Sequence, residues 1–141
     1  FGRQTDLDEG NALADWVLKA PGAEGRLRAA AEMPHPGARY DAARVLVWHL
    51  RTQGKCAEVV SVLEGLRQLP PTIVISKRAE YRAQHTHWLA ECYEKLGDLA
   101  KARERNDEFL RLWANADPDL PLLADAKALQ ARLAAAGASG K

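Results

Sequence analysis

Apolar residues recur at intervals of three and four along most of the chain, and this spacing predicts helices. Gly and Pro interrupt the pattern and mark where the helices end. The spacing predicts about seven antiparallel helices: residues 6–19 and 23–33, two hairpins at 38–69 and 77–114, and a last helix at 119–136. The one run with strand character, residues 72–75, is too short to build a sheet. The pattern therefore predicts an all-α fold.

The clearest hairpin is predicted around Gly97. Leu89 and Tyr93 are four residues apart and share one helix face. Gly97 stands where the first helix must end in a left-handed conformation, which glycine adopts without a steric penalty. Asp98 is then a good N-cap for the second helix, and the small Ala102 lets the two helices approach closely. Phe109 continues the apolar side of that helix.

The same spacing occurs 43 residues upstream, around Gly54. Leu46, Leu50 and Leu66 take the places of the large apolar residues, and Val59 takes the place of the small one. A pattern that repeats at a fixed distance is typical of proteins built from stacked helical hairpins. The upstream copy is degenerate because larger residues stand at its small positions.

The pattern Leu89-Ala90-x-x-Tyr93-x-x-x-Gly97-Asp98-x-x-x-Ala102 resembles a tetratricopeptide repeat (TPR). The stretch from Phe109 to Pro121 resembles the end of many bacterial TPR proteins, where a last repeat leads into a capping helix. The resemblance covers roughly residues 40–135, and the first 35 residues carry none of it. It implies a helical-hairpin solenoid, and we predict that residues 1–141 form a single domain of this kind. Its parts are a divergent hairpin (6–36), a degenerate repeat (38–71), the clearest repeat (77–116), a capping helix (117–136) and a tail (137–141).

The resemblance also implies a binding groove, because the first helix of each repeat lines the concave face in that family. The family's groove positions fall on Asp41, Arg44, Val45, Trp48 and Arg51 in one repeat, and on Gln84, His87, Trp88, Glu91 and Lys95 in the next. Trp and Arg are frequent anchors of protein interfaces. In the alternative interpretation, both tryptophans pack between helices and the charged residues form a solvated face.

Charge and hydropathy indicate how well the chain is suited to bind nucleic acid, an acidic peptide or a membrane. The net charge of +1 argues against strong nonspecific binding of nucleic acid. Basic residues are nevertheless concentrated between Arg26 and Arg82, whereas the start of the chain is acidic, so RNA or an acidic peptide stays open as a partner. No apolar stretch approaches the roughly 20 residues of a membrane-spanning helix.

Candidate catalytic and metal sites are weak. His87 and Glu91 share a helix face, but His85 points roughly 200° away from His87 around the helix. Zinc-binding motifs, a Gly-rich phosphate loop and a nucleophile elbow are all lacking. We therefore expect no catalysis, no metal and no cofactor, and nothing indicates a small-molecule ligand. Cys56 and Cys92 are expected to be buried free thiols.

The sequence predicts a non-catalytic interaction or scaffold domain that binds a peptide or helix of a partner, or docks as a subunit in a larger assembly. The alternative is a regulatory or sensory domain of a bacterial signalling or transcription-regulatory protein, and RNA binding through a basic concave face comes third. A cytoplasmic location is favoured; a periplasmic or secreted one stays open because the chain has no initiator Met.

Overall fold

Every regular element in the described part of the chain is an α-helix, which confirms the all-α prediction. The computed structural model describes residues 19, 21–32, 36–68, 79–115 and 120–139. These contain six helices: α1 (Ala23–Ala30), α2 (Pro36–Thr52), α3 (Cys56–Arg67), α4 (Ala79–Leu96), α5 (Leu99–Leu112) and α6 (Pro121–Ser139). The helix predicted at 6–19 and the strand-like run at 72–75 lie outside the described residues, apart from Lys19.

Two helices end three residues away from their predicted last residues. Helix α1 ends at Ala30, three residues earlier than predicted. Helix α6 begins at Pro121 and continues to Ser139, into the segment predicted as a tail. Proline is favoured at the first position of a helix because that position needs no backbone N–H donor. The alanine-rich end of the chain has a high helix propensity, which accounts for the extra residues of α6.

The chain divides into two compact units, Phe1–Ile73 and Val74–Lys141. In the first unit, α2 packs against both α1 and α3. In the second unit, α4 packs against α5, and α6 packs against both of them. The assignment of residues 1–141 to a single domain stays a prediction.

The core of the first unit is built from one side of α2 and the facing sides of α1 and α3. Its large buried residues are Leu27, Tyr40, Leu46, Val47, Leu50, Val59, Leu63 and Leu66. At the edge, the guanidinium of Arg28 contacts Glu24 in its own helix at 3.1 Å and Glu58 of α3 at 2.8 Å. The hydrogen bonds from Arg28 lower the pKa of Glu24. Arg28 therefore links α1 to α3.

The core of the second unit is centred on Phe109, which is fully buried. Helix α6 contributes a buried stripe to this unit at helical spacing: Leu123, Ala126, Leu129 and Leu133. Polar contacts hold the same helix in place. Arg132 makes two 3.0 Å hydrogen bonds to the carboxylate of Glu94 on α4, and Arg103 of α5 donates to the Leu133 carbonyl at 2.9 Å.

The two glycine turns have the same backbone geometry. Gly54 and Gly97 have φ angles of 69° and 85°, so both are left-handed, as the prediction for Gly97 required. In each turn the glycine N–H donates to the carbonyl three residues back, and the next N–H donates to the carbonyl five residues back. This pair of bonds is the Schellman motif. The predicted cap is also present, since the Asp98 carboxylate accepts from the Lys101 N–H at 3.2 Å.

The hairpins α2–α3 and α4–α5 also share a burial pattern. Residues 43 positions apart are buried in both: Leu46 and Leu89, Val47 and Ala90, Leu50 and Tyr93, Val59 and Ala102, Leu66 and Phe109. A further pair is chemically different, because the apolar Leu63 corresponds to Asn106. The repetition seen in the sequence thus extends to the residues that form each hairpin's interior.

Asn106 is a polar residue in the apolar interior of the second unit. It is 1% exposed, and its amide Nδ2 donates to the Ala126 carbonyl of α6 at 3.0 Å. Burying an amide is costly unless it is hydrogen-bonded. The bond therefore favours one axial position of α6 against α5.

Replacing Gly97 with Ala should lower the free energy of unfolding by about 1 kcal/mol, because an L-residue is strained at positive φ. A Cβ at this position meets nothing within 4 Å, so the loss isolates backbone strain from steric clash. Gly25→Ala is the matched control: it lies inside α1, has equally free space and should be neutral or stabilising. Urea unfolding measures both, and equal effects would contradict the left-handed turn.

Asn106→Ala should destabilise the protein by about 1–3 kcal/mol, because it removes the bond to α6 and leaves a gap in a packed interior. Asp107→Ala, at the adjacent exposed position, should change the stability by less than about 0.5 kcal/mol. Thermal unfolding followed by circular dichroism compares the two. Similar small effects would show that the bond does not hold α6.

Candidate partner-binding surface

Helix α2 places its predicted groove residues on the side opposite its core. Arg44, Trp48 and Arg51 are separated by four and three residues, so they lie along one face. Asp41 and Val45 lie on the same face. Leu46, Val47 and Leu50 point the other way and are buried. We call the five residues Asp41, Arg44, Val45, Trp48 and Arg51 the α2 face.

Trp48 is the most exposed member of the α2 face. Its side chain is 56% exposed, whereas the four other members are half-buried. The structure therefore places this indole at the surface rather than between helices. An aromatic side chain of this size buries a large apolar area when a partner covers it.

Helix α4 places its predicted groove residues differently. His87 is 1% exposed and Trp88 is 6% exposed, Gln84 and Glu91 are half-buried, and Lys95 is exposed. The six consecutive residues from His85 to Ala90 are all buried, so this part of α4 is covered around its whole circumference. His87 and Trp88 are packing residues in this structure, and a partner-binding role for the α4 set stays a prediction.

Both residues make ring contacts. The His87 ring lies 5.2 Å from that of Phe109 on α5, which in turn lies 5.1 Å from the Trp113 ring. The Trp88 ring lies 5.6 Å from that of His85. These distances are typical of aromatic pairs in protein cores.

His87 and Glu91 approach each other closely, as their spacing on α4 suggests. The His87 Nε2 and Glu91 Oε1 atoms are 2.7 Å apart, but they lack the alignment of a hydrogen bond. Three or more His, Cys, Asp or Glu side chains that could hold a metal ion do not come together anywhere in the described residues. The pair is therefore a close contact between a buried imidazole and a half-buried carboxylate one turn apart on α4.

The two cysteines differ from the expectation. Cys56 and Cys92 are both buried, as predicted, but neither is a free thiol. Both are disulfide-bonded, so the prediction of free thiols is wrong. Sequence spacing could not reveal this, because a disulfide depends on how the chain folds and not on a local motif.

The predicted groove residues fall into two groups. Those on α2 belong to the first compact unit, and those on α4 belong to the second.

Within the part of the chain that is described, no helix has the length and apolar character needed to span a membrane. In comparisons with known proteins, no family model, no curated protein and no solved structure matches the chain. Function is therefore inferred from the surface itself.

Several positioning residues were not predicted from the sequence. Arg28, Asn106 and Arg132 each fix one helix against another. The role of Asn106 could have been found from the sequence, because Asn106 is a polar residue within the apolar spacing formed by Ala102 and Phe109. The roles of Arg28 and Arg132 could not, since an arginine on a helix surface is common and its partner is remote in the sequence.

The two tryptophans should respond differently to truncation. Trp88→Ala should lower the free energy of unfolding by about 3–5 kcal/mol, because it empties a packed site. Trp48→Ala should cost less than about 1 kcal/mol, because more than half of its side chain already contacts solvent. Chemical denaturation of both variants tests the placement. A larger loss for Trp48→Ala would show that the α2 face is part of the core.

Proposed function

We propose that the chain is a non-catalytic interaction domain that binds a peptide segment or helix of a partner protein. The observation that carries this proposal is the exposed Trp48 on a helix whose opposite side forms a core. Exposed tryptophans flanked by arginines are frequent energetic centres of protein interfaces, because they bury a large area with few rotatable bonds.

The rigidity of α2 supports the proposal. Leu46, Val47 and Leu50 anchor the helix from behind, and the Gly54 turn fixes its C-terminal end. A binding residue on such an element loses little conformational freedom when a partner arrives. The α2 face is therefore pre-organised for binding.

The proposal includes a TPR-like arrangement of the hairpins. Its support is the shared Schellman turn at Gly54 and Gly97, together with the burial pattern repeated at a distance of 43 residues. In proteins of that kind the first helix of each hairpin lines the binding surface. Here α2 and α4 are the first helices of the two hairpins, and the large aromatic residue at the groove position is exposed on α2.

Affinity capture with variants tests the proposal. The immobilised chain, its Trp48→Ala variant and its Leu112→Ala variant are incubated with lysate of the organism that encodes the chain, and bound proteins are quantified by mass spectrometry. Leu112 is the matched control, because it is an exposed large apolar residue on α5, outside the predicted groove. A specific partner should be retained by the wild type and by Leu112→Ala, and depleted about tenfold or more by Trp48→Ala. Equal retention by all three would contradict the proposal.

A further inference from the structure

The order of charges along the α2 face is specific. Asp41 comes first, Arg44 and Arg51 follow, and the apolar Val45 and Trp48 lie between the two arginines. Arg44 and Arg51 are seven residues apart, which is two helical turns or about 10 Å along the axis. The face thus presents a cation, an exposed indole and a second cation at intervals of one turn.

We propose that the α2 face binds an acidic amphipathic helix that carries two carboxylates two turns apart with an apolar residue between them. This inference rests on the proposed function and names the chemistry of the partner. Carboxylates at that spacing match the two guanidinium groups, and the apolar residue lies against the indole of Trp48. Charge complementarity then determines which helix binds and in which register. The Trp48 indole, which the partner covers on binding, supplies most of the affinity.

The charge distribution around α2 favours an acidic partner. From Arg26 to Lys55 the sequence has six basic and two acidic residues. Three carboxylates of the same unit form ion pairs with arginines outside the α2 face: Glu24 and Glu58 contact Arg28, and Glu64 contacts Arg67. The segment 26–55 therefore carries an excess of four positive charges in its sequence.

Arginines in this region can serve more than one carboxylate. A guanidinium has five N–H donors in a planar fork. Arg28 uses this capacity within the same unit, where one of its nitrogens contacts both Glu24 and Glu58. The proposal therefore allows Arg44 and Arg51 to keep the contacts they have within the chain while they donate to a partner's carboxylates.

The same face is less suited to RNA. A nucleic-acid strand presents a continuous row of phosphates and is bound by extended basic grooves. Asp41 lies on the α2 face one turn from Arg44 and would repel such a row. A helix with two discrete carboxylates opposite Arg44 and Arg51 avoids this repulsion.

Fluorescence anisotropy with designed peptides tests the proposal on the full chain. The probe is a labelled, alanine-rich peptide of about 12 residues, or about 18 Å as a helix, with the pattern Glu-x-x-Leu-x-x-x-Glu. Read antiparallel to α2, this pattern sets its glutamates against Arg51 and Arg44. The competing probes are the same peptide with Lys in place of Glu, and a short oligouridine. Circular dichroism confirms that each variant is folded.

Two double variants separate a specific site from general attraction. Arg44→Glu with Arg51→Glu should weaken binding of the acidic peptide about tenfold or more, and Trp48→Ala should do the same. Arg111→Glu with Lys127→Glu changes the net charge equally at exposed positions of the second unit and should leave the affinity within about twofold. Equal weakening by both double variants would overturn the proposal, as would preferential binding of the Lys peptide or of oligouridine.

The outcomes also separate this inference from the proposed function. If the acidic peptide does not bind but a lysate partner is captured in a Trp48-dependent manner, the interaction function stands and the acidic-helix inference is wrong. If neither depends on Trp48, both are wrong. Binding of the acidic peptide that is lost with Trp48→Ala and with the Arg44/Arg51 double variant supports both.

Discussion

The left-handed glycine at the end of the first helix of each hairpin is the constraint on which the rest of the structure depends. Gly54 and Gly97 allow the Schellman bonds that turn the chain back on itself within two residues. Without that reversal, the apolar sides of α2 and α3, or of α4 and α5, could not face each other. The turn determines which side of each helix is buried. Because one side of α2 is buried, the opposite side, the α2 face, is exposed.

The two units use the same hairpin with different support. In the first, Arg28 bridges α1 and α3, and α2 is left with an exposed aromatic residue. In the second, α6 covers the hairpin and is held by Asn106, Arg103 and Arg132. The middle of α4 is buried on all sides, although its sequence positions correspond to those of α2. A repeated sequence pattern thus fixes the hairpin but not the exposure of its first helix.

The features that could be predicted from the sequence depend on interactions between residues that are close together in the chain. The positive φ at Gly97 and the cap at Asp98 both depend on residues within a few positions of one another, and both are present. The burial of His87 and Trp88 could not be predicted in this way. It depends on rings brought together by folding, such as that of Phe109, which is 22 positions beyond His87 in the sequence. The same holds for the disulfide-bonded state of the cysteines.

The central claim is that α2, rather than α4, presents the surface to which a partner binds. Residue-resolved NMR of the labelled chain, titrated with the partner recovered by affinity capture, tests this claim most directly. The account predicts that the largest shifts fall on backbone amides from Asp41 to Thr52 and on the Trp48 indole N–H, with α5 and α6 unchanged. Shifts concentrated on α4, α5 or α6, with the Trp48 indole unaffected, would contradict it.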